Sequence, residues 1–336
     1  MVLTEIPLVS VVLPVYNGAD CIGRAIASIC SQDDPHWELI VVDDGSTDGS
    51  AATAQQSAGG DTRVRIVETP HLGLVPALRK GCAIAQGTLI ARMDADDVSH
   101  PARLSSQRAW HAKHSNEGLC GTQVSMTGRG VGQGRRRYES WLNAVLTSRD
   151  VDRELFIECP VAHPAFMMSR GAYEAVGGYR DFDGPEDYDL VFRLWNAGFA
   201  LGNVAPSLLD WHDSPGRLSM NSPRYDEIAF RNLKRKWLNV AKVGEGRPLY
   251  QWGAGEVGKR WLREWIPGTV EAVVDIRPGK IGQTIHGHVV IRPEDLPLPG
   301  DCYFLIAVGT PGARDRIRAW CRTAGYSECV DYRFIA

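Results

Sequence analysis

Short apolar runs alternate with segments of helical periodicity through the first hundred residues, and this alternation constrains the fold more than any other feature. The runs are rich in Val and Ile, and amphipathic helical patterns cover about residues 19–31 and 74–85 between them. Such alternation predicts βαβ units that form a parallel sheet with right-handed crossovers. The predicted strands are Val9–Pro14, Glu38–Asp44, Val64–Val67 and Thr88–Met93.

Three aspartates, Asp94, Asp96 and Asp97, follow the end of the fourth predicted strand. Carboxylates this close repel one another unless a cation lies between them. Oxygen ligands at the end of a buried strand are typical of a Mg²⁺ or Mn²⁺ site, which often binds substrate phosphates as well. An acidic turn that caps the next helix would explain the same residues. The cluster by itself therefore leaves both interpretations open.

Polar residues also end the first two predicted strands. Asp43 and Asp44 end the second strand, and Asn17 follows the first. In open α/β sheets, ligands bind in the crevice beyond the carboxyl ends of the strands. Because two acidic strand ends and an amide fall at that edge, the sequence favours a cleft for a nucleotide and a metal ion over an acidic surface turn.

The middle of the chain carries weaker signals. Pro160–Met168 is predicted to be a buried strand entered through a polar turn, and Glu186 and Asp187 open a helix. Acidic residues at a helix N-terminus interact favourably with the helix dipole, so this pair also has a purely structural explanation. A further polar cluster surrounds His212, although a single histidine is more often structural than a ligand.

A glycine pattern, Gly253-x-Gly255-x-x-Gly258, lies between a predicted strand and a predicted helix near the C-terminus, and Asp275 ends the next predicted strand. This is the context of a dinucleotide-binding fingerprint. The segment is short for a full dinucleotide site. It therefore has two interpretations: a domain that binds a nucleotide or nucleotide sugar, or a docking domain whose glycines serve packing. The predicted organisation is residues 1–240, a linker 241–247, and a small domain 248–336.

Composition excludes several classes of protein. The net charge of −3 offers no general attraction for nucleic acid, and the eight cysteines include no CxxC pair, so neither a zinc ribbon nor a redox motif is indicated. The N-terminus lacks the basic start and apolar core of a signal peptide, and no apolar run reaches membrane-spanning length. We expect a cytoplasmic protein, with contact to the inner face of the membrane left open. The oligomeric state is not indicated.

Taken together, the motifs resemble the family 2 glycosyltransferases with the GT-A fold over about residues 9–239. The resemblance implies a GT-A nucleotide-diphospho-sugar transferase fold, with a mainly parallel sheet flanked by helices, and beyond it lies the small Rossmann-like α/β domain. The matching segments are a first strand, a nucleotide-binding turn, a DxD motif, an ED motif and a polar stretch: Val11–Asn17, Val41–Asp48, Arg92–Asp97, Pro185–Leu190 and Trp211–Ser219.

The resemblance implies specific roles for residues. Asp187 would be the general base of a single displacement with inversion, with Glu186 beside it helping to raise its pKa. Asp44 would bind the base of the nucleotide and Asp43 would support the turn. Arg79 stands where the family often has Asn. The implied nucleotide-sugar-binding residues are Pro14, Tyr16, Asn17, Asp43, Asp44, Arg79, Asp94 and Asp96, and the implied ligands for Mn²⁺ or Mg²⁺ are Asp94, Asp96, Asp97 and His212.

The implied reaction moves a sugar from a nucleotide donor, usually UDP-linked, to a hydroxyl of a glycan or lipid-linked acceptor in surface polysaccharide biosynthesis. This would be a hexosyltransferase-type activity (EC 2.4). Two alternatives come from other classes: an NAD(P)-dependent sugar oxidoreductase acting through the C-terminal glycine motif, and a non-catalytic nucleotide-sugar-binding protein. The motifs do not identify the donor sugar or the acceptor.

Overall fold

A computed structural model describes residues 9–114, 116–128, 131–213, 222–265 and 269–336. The chain forms two compact units. The first comprises the described residues up to Val151 together with Cys159–Leu233, and the second comprises Asp152–Glu158 and Lys234–Ala336. The division thus falls before the predicted linker 241–247. The short segment 152–158 belongs to the second unit because its acidic side chains pair there with Arg318 and Arg333.

The first unit is built on an eight-stranded sheet. Its strands are β1 (Val9–Val15), β2 (Trp37–Asp43), β3 (Val64–Glu68), β4 (Leu89–Arg92), β5 (Val98–Ser99), β6 (Glu117–Thr127), β7 (Met167–Ser169) and β8 (Ala200–His212). Its helices are α1 (Ile22–Cys30), α2 (Ser50–Ala58), α3 (Leu74–Ile84), α4 (Arg103–His111), α5 (Gln133–Asn143), α7 (Arg170–Ala175) and α8 (Glu186–Asn196). Two further helices, α6 (Ser148–Glu154) and α9 (Glu227–Val240), begin in the first unit and end in the second.

The N-terminal half of this sheet is parallel, as the sequence predicts. β1 pairs with β2 and β4, and β2 pairs with β3. Every residue of β1 and β2 is buried, which is typical of parallel strands covered on both faces. The register aligns Val15 of β1 with Asp43 of β2. The carboxyl ends of these strands therefore meet at one edge of the sheet, where the polar residues follow them.

The other half of the sheet is mixed. The strand order is β3-β2-β1-β4-β7-β6-β8-β5, with β7 antiparallel to both of its neighbours and β6 parallel to β8. The long strands β6 and β8 are absent from the predicted set. Gly121 of β6 explains part of this, because a Cβ there would overlap the side chain of Asn203 in β8. Small and polar residues at such contacts interrupt the apolar run by which a buried strand is recognised in a sequence.

The strand predicted over Pro160–Met168 is wrong for most of its length. A 3₁₀ turn covers His163–Ala165, and β7 comprises only Met167–Ser169. The physical reason lies in Pro160 and Pro164, which have no amide hydrogen to donate to a strand ladder. The apolar residues of this segment are buried in a turn instead.

The second unit has a six-stranded sheet with the order β11-β12-β10-β9-β13-β14. Neighbouring strands are parallel except for the edge pair of β11 and β12. The five parallel strands follow the order 3-2-1-4-5 of nucleotide-binding α/β sheets. The strands are β9 (Leu249–Trp252), β10 (Val273–Val274), β11 (Thr284–Ile285), β12 (His288–Ile291), β13 (Tyr303–Ile306) and β14 (Tyr332–Phe334), and the helices are α10 (Glu256–Glu264) and α11 (Ala313–Thr323).

Two further findings concern predictions from composition. All eight cysteines are free thiols, and five of them are buried. Within the described ranges, no helix combines the length and the apolar character that crossing a membrane requires.

Candidate active site

Asp94, Asp96 and Asp97 lie together just beyond β4. One carboxylate oxygen from each lies within 4.8 Å of the other two. The side chain of Asp97 is buried, and its Oδ1 accepts a hydrogen bond from the backbone amide of His212 at 2.7 Å. Its Oδ2 is buried without a hydrogen-bond partner. Because an unpartnered buried oxygen is costly, the cluster is suited to receive a partner that the protein itself does not supply.

The electrostatics of the cluster indicate which partner fits. Burial, together with the negative charges of Asp94 and Asp96, raises the pKa of Asp97 well above its ordinary value. The buried guanidinium of Arg92 forms an ion pair with Asp94 and donates to its Oδ2 at 2.8 Å. A cation held among the three carboxylates would reduce their repulsion, and carboxylate oxygens are the ligands that Mg²⁺ and Mn²⁺ prefer. The donor set therefore fits a hard divalent cation.

The turn after β2 uses its two aspartates to fix the backbone. Asp43 is buried, and its Oδ1 accepts from the amide of Ser46 at 2.8 Å. Asp44 is 4% exposed and accepts from the amides of Leu72 and Gly73 and from Nδ1 of His71, each at 2.8 Å. A carboxylate has about four acceptor sites, so these contacts leave about one of them for a nucleobase. Asp44 fixes the loop that precedes α3.

An aromatic pair lies beside this turn. Tyr16 is 49% exposed and stacks on His71, with ring centroids 3.9 Å apart and planes inclined by 17°. Asn17 adopts the left-handed conformation, and its Oδ1 accepts from the amide of Thr47 at 2.9 Å. Pro14 is buried inside β1. The exposed rings offer a flat surface on which a nucleobase can stack.

The two acids that open α8 have different environments. Glu186 is 1% exposed, and its Oε2 accepts from the hydroxyl of Tyr225 at 2.6 Å, while its Oε1 has no hydrogen-bond partner. Burial raises the pKa of Glu186. Asp187 is partly exposed, and its Oδ1 accepts from the amide of Tyr188 at 2.8 Å. Asp187 is thus the acid that a substrate can reach, whereas Glu186 anchors the start of the helix.

His163 and Arg92 connect this acid pair to the aspartate cluster. Nε2 of His163 lies 2.8 Å from the hydroxyl of Tyr179, and its Nδ1 lies 3.7 Å from Oε1 of Glu186. Burial and the charge of Arg92 lower the pKa of His163 well below its ordinary value, so its imidazole is neutral at pH 7. The charge of Arg92 also counteracts the effect of burial on the pKa of Glu186. Arg92 therefore acts electrostatically on both motifs.

Three residues of this site were not identified as site residues from the sequence: Arg92, His71 and Tyr225. Arg92 had a signal, because a charged residue inside an apolar strand needs a buried partner. His71 and Tyr225 had none. They bond to acids that lie 27 and 39 residues away in the chain, and only the fold brings these pairs together.

Two predicted site residues, Arg79 and His212, are not among the side chains described above. Arg79 is exposed on α3. His212 contacts Asp97 through its backbone amide, and its imidazole is not part of the carboxylate group that the structure brings within 4.8 Å. Residues 214–219 of the predicted polar stretch lie outside the described residues.

Comparison with known proteins adds independent information. The family model of glycosyl transferase family 2 matches residues 10–177, half of the 336-residue chain. The EpsE protein of Bacillus subtilis (strain 168) is 32% identical over 207 residues, which are 60% of this chain and 72% of EpsE. The hyaluronan synthase of Pasteurella multocida is 26% identical over 197 residues, 58% of this chain. This chain spans only 19% of that synthase.

The fold has solved relatives. The crystal structure of S. aureus TarS residues 1–349 in complex with UDP-GlcNAc superposes with a TM-score of 0.56 at 18% identity, covering 69% of this chain and 66% of that one. This similarity confirms the predicted GT-A type of α/β fold. The aspartate cluster and the acid pair are thus built on a framework that other proteins also use.

Proposed function

The chain belongs to glycosyl transferase family 2, and from this premise we propose that its first unit transfers a sugar from a UDP-linked donor to an acceptor hydroxyl with inversion at the anomeric carbon. One observation carries the proposal. Arg92 forms an ion pair with Asp94 in the aspartate cluster after β4, and its charge also acts on Glu186 in the acid pair at the start of α8. The cluster can hold a metal-bound diphosphate, and the acid pair supplies a base.

Asp94, Asp96 and Asp97 would hold Mn²⁺ or Mg²⁺, which when bound supplies positive charge to the diphosphate leaving group. The unpartnered Oδ2 of Asp97 supports this assignment. Arg92 orients Asp94 through their ion pair. The amide of His212 fixes the other oxygen of Asp97. These contacts fix the carboxylates before any ligand arrives, which reduces the ordering that binding requires.

Asp187 acts as the general base. The acceptor oxygen attacks the anomeric carbon from the face opposite the diphosphate, its proton passes to a carboxylate oxygen of Asp187, and the bond from that carbon to the diphosphate oxygen breaks with its electron pair leaving on the diphosphate. Asp187 suits this role because it is partly exposed at a helix N-terminus, whereas Glu186 is buried and bonded to Tyr225. Glu186 positions Asp187 by fixing the first turn of α8.

We assign the nucleotide to the edge of the sheet where the carboxyl ends of β1 and β2 meet. The rings of Tyr16 and His71 provide a stacking surface, and Asp44 orients His71 through a bond at 2.8 Å. Uridine is proposed because the related TarS fold is seen in complex with UDP-GlcNAc. Asn17 and Asp43 shape the turn that borders this surface.

The acceptor is proposed to be a glycan or a lipid-linked glycan in surface polysaccharide biosynthesis. The similarity to the hyaluronan synthase of Pasteurella multocida supports a polysaccharide product. The general base Asp187 requires only an acceptor hydroxyl, so the same site accommodates either kind of acceptor. A location at the inner face of the membrane follows if the acceptor is lipid-linked.

The test is nucleotide release by the full chain from a panel of UDP-sugars with Mn²⁺ or Mg²⁺ and candidate acceptors. We expect Asp187→Asn to lower kcat by about 100-fold or more while the Kd for the donor stays unchanged, because the proton that Asp187 accepts comes from the acceptor and not from the donor. The anomeric configuration of the product, read by NMR, reports inversion.

A matched control keeps this result specific. Asp183 is an exposed aspartate near the same helix, and Asp183→Asn removes the same charge without removing the base. We expect that variant to turn over normally. Undiminished kcat in Asp187→Asn would refute the assignment, and donor binding without turnover in the unaltered chain would identify a non-catalytic nucleotide-sugar-binding protein instead.

A further inference from the structure

A cavity of about 840 Å³ opens at the carboxyl ends of the parallel strands of the second unit. Its walls come from the segments that follow β9, β10, β12 and β13: residues 252–257, 274–278, 292–294 and 307–311. In sheets of this strand order, ligands bind where the order reverses, here between β9 and β13. The cavity also has the size of a typical small-ligand site.

The glycine turn in this cavity has one glycine that the fold does not require. Gly253 has φ +123°, and a Cβ there would lie 2.5 Å from the carbonyl oxygen of Ala307. A Cβ at Gly258 would overlap the carbonyl oxygen of Gly253. Gly255 differs from both, because its φ is −85° and nothing lies within 4 Å of the position of its Cβ. Packing therefore explains the first and last glycines of the motif and leaves the middle one without a structural reason.

An approaching ligand supplies that reason. Gly255 lines the cavity and precedes the nine-residue helix α10, whose first turn leaves amide groups without acceptors inside the helix. Without a side chain at Gly255, an anionic group can come close to these amides. A docking domain with no ligand would gain nothing from a glycine here.

The cavity also offers an apolar surface and charged side chains of both signs, with three arginines beside two glutamates. Ile276, which directly follows Asp275, is 73% exposed and lines the cavity, as do Trp252 and Trp320. Arg277 and Arg316 are exposed on the wall as well. Within the part of the chain that the structure describes, neither of these arginines forms an ion pair. An exposed isoleucine beside free guanidinium groups matches a ligand with one flat apolar ring and one anionic end.

The contacts of Asp275 indicate which parts of a ligand this cavity can recognise. In dinucleotide-binding folds, the acid at this position binds the ribose hydroxyls. Here Asp275 is 7% exposed, and its Oδ2 accepts from the amide of Ala254 and from Nζ of Lys280, both at 3.2 Å. Its Oδ1 accepts from the amide of Arg277 at 2.9 Å. Because its oxygens hold the glycine turn, recognition in this cavity rests on the phosphates and the base.

We propose that this cavity is a second nucleotide site, which binds a nucleoside 5′-diphosphate group with its phosphates against the turn at Gly255 and its base against Ile276. The same group occurs in free nucleoside diphosphates, in nucleotide sugars and in NAD. All residues that line this cavity belong to the second unit. The proposal therefore does not depend on the function proposed for the first unit.

The test titrates ADP, UDP and NAD⁺ separately into the full chain by calorimetry. The protein carries Asp96→Ala and the buffer contains EDTA, so that metal-assisted binding in the first unit is suppressed. We expect at least one of the three probes to bind and Gly255→Leu to weaken that binding by about tenfold or more. The added side chain fits the backbone and fills only the cavity, so the melting temperature should not change.

The chain offers a closely matched control. Gly132 precedes α5 with φ −85° and ψ −178°, compared with φ −85° and ψ −173° at Gly255, and it also has nothing within 4 Å of its Cβ position. Gly132→Leu should leave binding of the probes intact. Ile276→Ser, at an exposed position that the core does not use, should weaken binding independently of the turn.

The pattern among the probes identifies the source of the ligand. If NAD⁺ binds most tightly, the ligand is a dinucleotide, and an oxidoreductase role is again a candidate. If UDP binds most tightly, the ligand is a nucleotide sugar. Equal binding of ADP and NAD⁺ indicates that the site recognises only an adenosine diphosphate group. If none of the probes binds, or if Gly255→Leu binds them as tightly as the unaltered chain, the proposal is wrong. Neither result affects nucleotide release from UDP-sugars, which tests the first unit.

Discussion

The two units place their polar residues at the same position of a parallel sheet, beyond the carboxyl ends of its strands, and yet the two edges carry opposite chemistry. The edge of the first unit presents aspartates after β2 and β4. The edge of the second presents a glycine turn, with arginines on the surrounding wall. Topology thus fixes where a ligand binds, while side chains decide how it is held.

The difference suggests two ways of holding a diphosphate. Carboxylates repel an anion and need a cation between them and the phosphates, whereas backbone amides at a helix start receive phosphates directly. One feature is shared. Asp44 and Asp275 each follow a central strand, each is nearly buried, and each accepts backbone amides from a neighbouring loop. In both units the strand-ending acid holds a loop.

The largest expected effect tests whether the first unit depends on a metal ion while the second unit does not. Asp96→Ala removes one of the three clustered carboxylates, and we expect kcat for transfer to fall by about 100-fold or more, because a bound metal contributes several kcal/mol to stabilising the leaving group. Nucleotide binding in the second unit should not change. Steady-state nucleotide release and calorimetry on the same preparation measure both quantities.

Asp301→Ala controls for the loss of a carboxylate, because Asp301 is an exposed acid in the second unit. That variant should retain full activity. If Asp96→Ala also retained it, the first edge would not use its carboxylates for a metal, and the contrast between the two edges would disappear.

A smaller effect separates the units by their dependence on metal. Removing divalent cations with EDTA should weaken donor binding to the unaltered chain by about tenfold or more, and Mn²⁺ should restore it. Mn²⁺ alone should raise the melting temperature of the unaltered chain, because it binds the folded state. Asp97→Asn should lose most of that shift, since it replaces the carboxylate whose Oδ2 lacks a partner. An equal shift in both proteins would place the metal elsewhere.

The sequence predicted the parts of this molecule that depend on local pattern. β1, β2 and β4 lie within one or two residues of their predicted bounds, because continuous β-branched runs are typical of buried parallel strands. The aspartate cluster was predictable for the same reason, since the residues that follow such strands must lie at one edge. In the second unit, the strand before the glycine turn, the helix after it and the strand that precedes Asp275 are present as β9, α10 and β10.

The parts that could not be predicted depend on distant packing. The resemblance implies that Asp44 binds the nucleobase, and only the structure shows that its carboxylate also accepts hydrogen bonds from residues 71–73. Glu186 and Asp187 look equivalent in sequence, and only the position of Tyr225 shows which of them is bonded and buried. Gly253, Gly255 and Gly258 form one motif in sequence, and only the surrounding backbone shows that the middle glycine has no packing role.

The shared role of the strand-ending acids gives an intermediate effect on stability. Asp44→Asn exchanges an oxygen that accepts hydrogen bonds for an amide group that cannot, and we expect a loss of about 1–3 kcal/mol. That loss should lower the melting temperature by about 2–4 °C for each kcal/mol in a chain of this size. Asp275→Asn should have a comparable effect.

Asp61→Asn is the matched control for this pair, because Asp61 pairs with Arg63 at the surface and such pairs contribute little. Thermal unfolding followed by circular dichroism measures all three variants. A decrease for Asp44→Asn no larger than that for Asp61→Asn would mean that the loop before α3 does not need its acid.

The smallest expected effect concerns a buried acid without a bonded cation. Asp275 has Lys280 at 3.2 Å, whereas Oε1 of Glu186 has no hydrogen-bond partner and burial raises the pKa of Glu186. Since its folded pKa lies above the unfolded value, the folded state holds this proton more tightly than the unfolded state does. The contribution of Glu186 to stability is therefore greatest below its ordinary pKa, and it is lost as the pH rises from that value through the raised folded pKa.

Glu186→Gln removes this titration and keeps an oxygen that can accept from Tyr225. We expect its melting temperature to fall less than that of the unaltered chain as the pH rises from about 4 to 7, with a difference on the order of 1–3 °C. Glu174→Gln, at a side chain that is 64% exposed, should follow the unaltered chain. Parallel curves for Glu186→Gln and the unaltered chain would show that Glu186 is compensated by its surroundings, as Asp275 is by Lys280, and the two edges would then treat their buried acids alike.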